Sequence, residues 1–178
     1  MKTNVSPAKR VAFLGLLFAL SIVLAFLESL IPTTGLLPNG VKLGLSNIVT
    51  MYAVFFIGWK EAYGIAILKS LFVLLTRGAF AAVLSLSGGL LSVTVMLLLL
   101  LVKLNLSYII ISIFGSLTHN LAQICCVAMV LGGNAFYYTP VLIISGIVMG
   151  IVTGSILKVV LPALKRIHGK IGTEQADR

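Results

Sequence analysis

The chain has 178 residues, of which 60% are hydrophobic and 10% charged, and its mean hydropathy is +1.17. In soluble domains about a quarter of all residues are charged, so this composition excludes an ordinary soluble fold and predicts an integral membrane protein. The net charge of +9 then suits orientation in a membrane and contact with anionic headgroups better than binding of nucleic acid.

Continuous apolar runs, rather than alternating ones, predict an all-α bundle and not a β-barrel. At about 20 apolar residues per spanning helix, the chain has room for about six spans and no folded extramembrane domain. In chain order, the predicted spans cover about residues 11–31, 41–58, 62–76, 80–102, 107–131 and 139–164. A Pro- and Gly-rich turn at 32–40 and a basic cytoplasmic tail at 165–178 complete a single membrane domain over 1–178.

The basic residues predict the orientation of these spans. Six crossings place both termini on one side, and that side receives most of the lysines and arginines, including Lys60 and Lys103. The other side receives only Lys42 and Arg77. By the positive-inside rule both termini are cytoplasmic, and we expect a multi-pass protein of the cell membrane.

The chain lacks residues that several enzymatic mechanisms require. Its one aspartate, Asp177, lies in the tail, so the paired aspartates with which a prenyl diphosphate synthase holds magnesium and diphosphate are missing. The sequence has no P-loop for ATP, and His119 and His168 have no further metal ligands nearby. We therefore expect no catalytic activity, no metal and no cofactor in this chain.

Polar side chains inside the predicted spans are costly in lipid and indicate function. Lys69 lies halfway along the third span, and a polar group of His119, Asn120 and Gln123 lies halfway along the fifth. Further polar residues fall in the outer halves of the spans: Glu28, Lys42, Asn47, Arg77, Ser85 and Ser87. We infer a water-filled cavity open to the outside, in which three cations against one carboxylate favour an anionic ligand.

Each of these residues also has a structural interpretation. Lys42 and Arg77 could snorkel to headgroups, and Glu28 could pair with Lys42. Lys69 could be paired within the bundle, and the polar group of the fifth span could form hydrogen bonds between helices. The region around Ser87 could serve close helix packing or, if its Gly-Gly pair breaks the helix, aim amide groups at an anion.

Small residues in the first span suggest a packing surface. Gly15 and Ala19 are four residues apart, as are Ser21 and Ala25, and this spacing lets helices approach closely in lipid. Packing within the bundle and a docking stripe for another membrane subunit are the two interpretations.

Three segments resemble the family called Gx transporter, also labelled heptaprenyl diphosphate synthase component I: PNGVKLGLSNIVT at 38–50, SLSGGLLSVTVM at 85–96 and GSLTHNLAQ at 115–123. The resemblance implies a relative of the substrate-binding S components of energy-coupling factor (ECF) transporters. Such a relative has six helices, a ligand pocket near the outer face, and a surface for a transmembrane T subunit and two ATPase subunits.

The resemblance also implies roles for individual residues. It implies pocket roles for Lys42, Asn47, Ser85, Ser87, His119, Asn120 and Gln123. It implies that the small residues of the first helix dock on the T subunit, namely Gly15, Ala19 and Ala25. The synthase label conflicts with the missing aspartates.

Three functions stay open at this point. The first is an S component that binds a small anionic ligand of the flavin, quinone-precursor or prenyl phosphate class from the extracellular side. The second is a non-catalytic membrane subunit associated with prenyl diphosphate synthesis for the menaquinone side chain, or with flavin-linked extracellular electron transfer. The third is an ion or proton carrier that uses Lys69 and His119 as a relay.

Overall fold

The structure, a computed structural model, describes residues 7–30, 45–102 and 106–174. Within these ranges the fold is all-helical, as predicted, with no strand. The six α-helices are α1 (Pro7–Ser29), α2 (Asn47–Phe56), α3 (Trp59–Arg77), α4 (Ala79–Leu101), α5 (Tyr108–Leu131) and α6 (Thr139–Glu174), and a 3-10 segment at Gly132–Tyr138 joins the last two. The predicted turn at 32–40, Lys42 and Lys103 lie outside the described residues.

Four of the described helical segments are long and apolar enough to cross a bilayer: Val11–Glu28, Ala79–Leu101, Tyr108–Val130 and Gly132–Val159. The chain is therefore a multi-pass membrane protein. Helix α3 has 19 residues, but its charged side chains lower its hydropathy, and the described part of α2 has 10 residues. Length and composition alone thus leave the crossing of α2 and α3 open.

Helix α6 continues well past residue 164, where the sixth span was predicted to end. It has 36 residues and reaches Glu174. At 1.5 Å per residue this is about 54 Å, well beyond the ~30 Å of a bilayer's hydrocarbon core. A fall in hydropathy marks the membrane surface, but it does not end a helix, so most of the predicted basic tail is a helical extension.

The closest helix contact joins α5 to α6 through three glycines spaced four residues apart, Gly146, Gly150 and Gly154. A Cβ atom at Gly150 would lie 2.4 Å from Ile113 Cα, and one at Gly154 would lie 2.6 Å from Ile109 Cα. Small residues at this spacing let the two backbones touch, which is how helices gain packing energy in lipid.

The small residues of α1 do not form a single stripe. Gly15 and Ala19 are exposed, whereas Ala25 is 6% exposed and lies, with Ser21, on the side that faces the bundle. At about 100° per residue, position 25 is turned by about 80° from position 15 and about 120° from position 19. The docking role of Ala25 stays a prediction, although Ala25 faces the bundle in this conformation, and Gly15 and Ala19 are the exposed members of the predicted set.

Two apolar clusters make up the core. One contains Val49 of α2, Ile65 of α3 and Met96 of α4, and the other contains Leu84 of α4 and Ile124 of α5. Along α4 and α5, the residues between the two clusters include glycine and buried polar side chains. The two halves of the core are thus separated by a polar layer.

Candidate functional site

A buried lysine lies in this polar layer. Lys69 is 3% exposed, and its Nζ donates a hydrogen bond to Ser46 Oγ at 3.2 Å. Ser46 is itself 4% exposed and lies just before α2 begins. The contact therefore brings the middle of α3 to the start of α2.

His119 of α5 lies against α4. A Cβ atom at Gly88 would be 2.7 Å from both Nδ1 and Cε1 of the imidazole, so the ring occupies the space that a side chain at position 88 would take. Its other nitrogen, Nε2, lies 2.9 Å from the amide nitrogen of Gln123, one turn further along α5. The next residue on α4, Gly89, packs against Ala66 of α3, where an added Cβ would be 3.3 Å from Ala66 Cβ, so the turn of α3 that precedes Lys69 meets the same part of α4. Ser46, Lys69, Gly88, His119 and Gln123 are called the central cluster below.

The central cluster lies about halfway along α3 and α5. At 1.5 Å per residue, Lys69 stands about 15 Å along α3 from Trp59, and His119 stands about 16 Å along α5 from Tyr108. Half the thickness of the hydrocarbon core is about 15 Å. Lys69 and His119 thus stand about half a hydrocarbon thickness from the start of their helices, and their place near the middle of the bilayer stays a prediction.

Buried hydrogen-bonding groups remain available near this layer. Asn47 Oδ1 and Thr50 Oγ1 of α2, Ser92 Oγ of α4 and Asn120 Oδ1 of α5 are buried and make no hydrogen bond with the residues that the structure describes. Ser92 stands one turn from Gly88 on α4. Such groups normally meet a partner, which is water or a ligand where protein offers none. The layer therefore has capacity for a polar ligand.

Asn120 faces another helix. Its Nδ2 donates to the main-chain oxygen of Leu142 at 2.8 Å and to Ser145 Oγ at 3.3 Å, both on α6. Although it was predicted to join His119 and Gln123 in one patch, it forms a separate contact between α5 and α6. These bonds favour the structural interpretation for Asn120.

The remaining predicted site residues lie near the ends of α1 and α3 and in the first half of α4. Arg77 is exposed at the end of α3, and Glu28 is 4% exposed near the end of α1. Ser87 Oγ donates to the main-chain oxygen of Leu84 and accepts a contact of 3.3 Å from Cys126 Sγ. Ser85 is half-buried.

The prediction therefore found three members of the central cluster, Lys69, His119 and Gln123, and missed Ser46 and Gly88 as site residues. Both lie in segments that carried the family resemblance, which was the one signal that could have identified them. The predicted water-filled cavity stays a prediction, because the cluster's side chains are at most 4% exposed in this conformation.

The chemistry of the central cluster suits an oxyanion. The ammonium of Lys69, the hydroxyl of Ser46 and the amide of Gln123 can all donate hydrogen bonds. Among the residues that the structure describes, no three His, Cys, Asp or Glu side chains lie together as they would to hold a metal ion.

A separate cavity of about 280 Å³ lies along α6, lined by Val141, Ile144, Ser145, Val148 and Met149. Four of its five lining residues are apolar, and the fifth is Ser145, the partner of Asn120. This cavity offers little polar chemistry of its own.

Comparison with known proteins identifies a family. Residues 17–160 match the model of a family described as heptaprenyl diphosphate synthase component I. The matched range includes the central cluster, the α5–α6 contact and the cavity along α6. No significant match was found among curated proteins or among solved structures.

Proposed function

The chain belongs to the family described as heptaprenyl diphosphate synthase component I, as its motifs predicted, and we propose that it is a substrate-binding membrane subunit of an ECF-type transporter. The proposed substrate is a small anionic cofactor precursor, of the flavin, quinone-precursor or prenyl phosphate class, that is captured from the extracellular side. The observation that carries the proposal is the buried Lys69–His119 region of the central cluster.

A purely structural role explains this region poorly. An ionisable side chain at the middle of the bilayer lowers the stability of the fold. Apolar residues of similar volume often stabilise a fold equally well or better. The cluster instead lies between two apolar parts of the core, and buried hydrogen-bonding groups lie in the same layer. A polar ligand would explain both features.

Energy for transport would come from partners in this proposal. The chain has no P-loop and no paired aspartates, so we propose a non-catalytic subunit that associates with a transmembrane T subunit and two ATPase subunits. The exposed Gly15 and Ala19 of α1 are the proposed docking residues, since small side chains allow a second helix to approach closely.

The proposed topology has six crossings in the cell membrane, with both termini cytoplasmic. Its support is a contact between the end of α2 and the start of α5. The rings of Phe55 and Tyr108 are 5.1 Å apart, and Tyr52 and Phe56 extend the same aromatic group. Helix α4 ends and α5 begins at the same depth as this aromatic group, so the α2–α3 turn reaches the same membrane face as the connection between α4 and α5. Aromatic residues are common at membrane faces.

The family description favours a second candidate function, a non-catalytic membrane subunit associated with prenyl diphosphate synthesis. In that case the chain would hold a soluble synthase at the membrane. The proteins that co-purify with the chain from its own cells distinguish the two functions, because ATPase subunits favour transport and a prenyl synthase favours the second candidate.

Ligand binding tests the first function directly. The full chain in nanodiscs is titrated with riboflavin, flavin mononucleotide, 1,4-dihydroxy-2-naphthoate and farnesyl diphosphate, and binding is followed by calorimetry and native mass spectrometry. We expect one class to bind, and Lys69→Ala to weaken that binding about tenfold or more, as loss of a charged hydrogen bond does. Lys60→Ala, an exposed lysine of the same helix, should leave it unchanged.

Two results would contradict the transport proposal. One is that no ligand binds and none remains on the chain after extraction. The other is that Lys69→Ala and Lys60→Ala change affinity equally, which would remove the central cluster from the binding site.

A further inference from the structure

The contact between His119 and Gly88 has a chemical consequence for the protonation of the ring. The amide nitrogen of Gln123 can only donate a hydrogen bond, so at 2.9 Å the imidazole Nε2 must accept it. A neutral imidazole carries its proton on the other nitrogen, here Nδ1. Nδ1 lies on the ring edge next to Gly88, and it is buried and makes no hydrogen bond with the residues that the structure describes.

We propose that Gly88 and Gln123 are positioning residues that hold His119 in the neutral, Nδ1-protonated form. This inference deepens the proposed function and rests on it, because the form of His119 determines what Lys69 can do. Two cations at close range in a low-dielectric interior repel each other strongly. With His119 neutral, Lys69 is the charged member of the central cluster and meets the anionic ligand.

The role of Gly88 is spatial. A Cβ atom at this position would be 2.7 Å from Nδ1 and Cε1, well inside contact distance, so any side chain would force the ring out of its place. The neighbouring Gly89 is a matched control, because its Cβ would meet only Ala66 Cβ, at 3.3 Å. Both glycines are buried on α4, so the two substitutions differ mainly in what they touch.

The role of Gln123 is chemical. Gln123→Glu keeps the shape of the side chain but replaces an amide that donates with a carboxylate that accepts. A carboxylate at this distance from Nε2 would accept a hydrogen bond and so favour a proton on that nitrogen.

Nitrogen NMR of the full chain in nanodiscs, with ¹⁵N-labelled histidine, tests the inference without any ligand. The chain has two histidines, and His168→Gln assigns the signals of His119. At neutral pH we expect a protonated Nδ1 and an unprotonated Nε2 for the wild type and for Gly89→Ala. We expect Nε2 to be protonated in Gln123→Glu, and the single form to be lost in Gly88→Ala.

The inference is overturned if wild-type His119 carries its proton on Nε2 or on both nitrogens, or if Gln123→Glu or Gly88→Ala leaves the wild-type pattern intact. If Gly88→Ala does not fold, Gln123→Glu still decides the matter, since it adds no volume. Failure of the transport proposal gives a different result, because the nitrogen signals stay as expected while none of the four ligands binds.

Discussion

Lys69 and Asn120 show how two buried polar residues at similar depth acquire different roles. Lys69 contacts Ser46 and faces the central cluster, while Asn120 bonds to α6. The place of each residue along its helix was predictable from the apolar runs, and so were the three cluster members that this criterion found. Partners were not predictable, because His119 and Asn120 are about 100° apart on the helix and one sequence does not say which neighbour each faces.

At the residue scale, Asn120→Ala should lower the stability of the bundle more than it changes ligand affinity. The substitution removes the bonds to Leu142 and Ser145, and hydrogen bonds between membrane helices average about 0.6 kcal/mol and reach about 1.7 kcal/mol. Unfolding in detergent, followed by circular dichroism, measures the loss.

Thr118→Ala provides the control, since Thr118 bonds to the main-chain oxygen of Phe114 in its own helix. It should have a smaller effect on unfolding than Asn120→Ala. An Asn120→Ala protein with wild-type stability and a large loss of affinity would instead place Asn120 in the ligand site.

At the scale of elements, the closest helix contact lies elsewhere than the sequence suggested. The small residues of α1 stand at the spacing of packing motifs and therefore predicted close packing. The glycines of α6 make the tight contact instead, and α1 leaves Gly15 and Ala19 exposed. Spacing predicts that a helix can pack closely, but the partner surface decides whether it does. On α5 that surface consists of main-chain atoms, and a contact with main-chain atoms cannot be predicted from the hydropathy of side chains.

Gly150→Ala should destabilise the α5–α6 contact. The new Cβ would fall 2.4 Å from Ile113 Cα, and main-chain atoms cannot move aside as a flexible side chain can. Overpacking of this kind costs about 1–3 kcal/mol, measurable as a lower free energy of unfolding in detergent.

Gly64→Ala is the matched control within α3, because its Cβ would meet nothing within 4 Å. Alanine is favoured over glycine in a helix by up to about 1 kcal/mol, so this variant should be as stable as the wild type or more so. Equal losses in the two variants would argue against a tight contact at Gly150.

The exposed pair on α1 gives a prediction about partners. Ala19→Leu should leave the stability of the isolated chain unchanged but reduce the recovery of ATPase subunits in affinity purification from the chain's own cells. The reason is that a larger side chain keeps a second helix at a greater distance. Leu20→Phe, at an exposed position of α1 about 100° from Ala19, is the control, and equal recovery from both variants would exclude docking at Ala19.

At the scale of the whole molecule, the sequence predicted the number and order of the helices because hydropathy marks apolar runs reliably. It was less informative where hydropathy and helix formation differ. Helix α6 continues beyond its apolar part, and α3 has the length of a span but carries charged residues at both ends and Lys69 at its centre. Whether α2 and α3 cross is thus the main topological question.

Labelling of single cysteines answers it. In a variant with Cys125→Ala and Cys126→Ala as background, six crossings predict that Gly133→Cys reacts with a membrane-impermeant maleimide in intact cells. Lys60→Cys should react only after permeabilisation, as should Val102→Cys near the turn between α4 and α5.

If α2 and α3 instead formed a hairpin that enters and leaves through the outer face, residue 60 would stay unlabelled after permeabilisation while residue 102 reacted. The contact between Phe55 and Tyr108 opposes that arrangement, because it places the α2–α3 turn beside the first residue of α5.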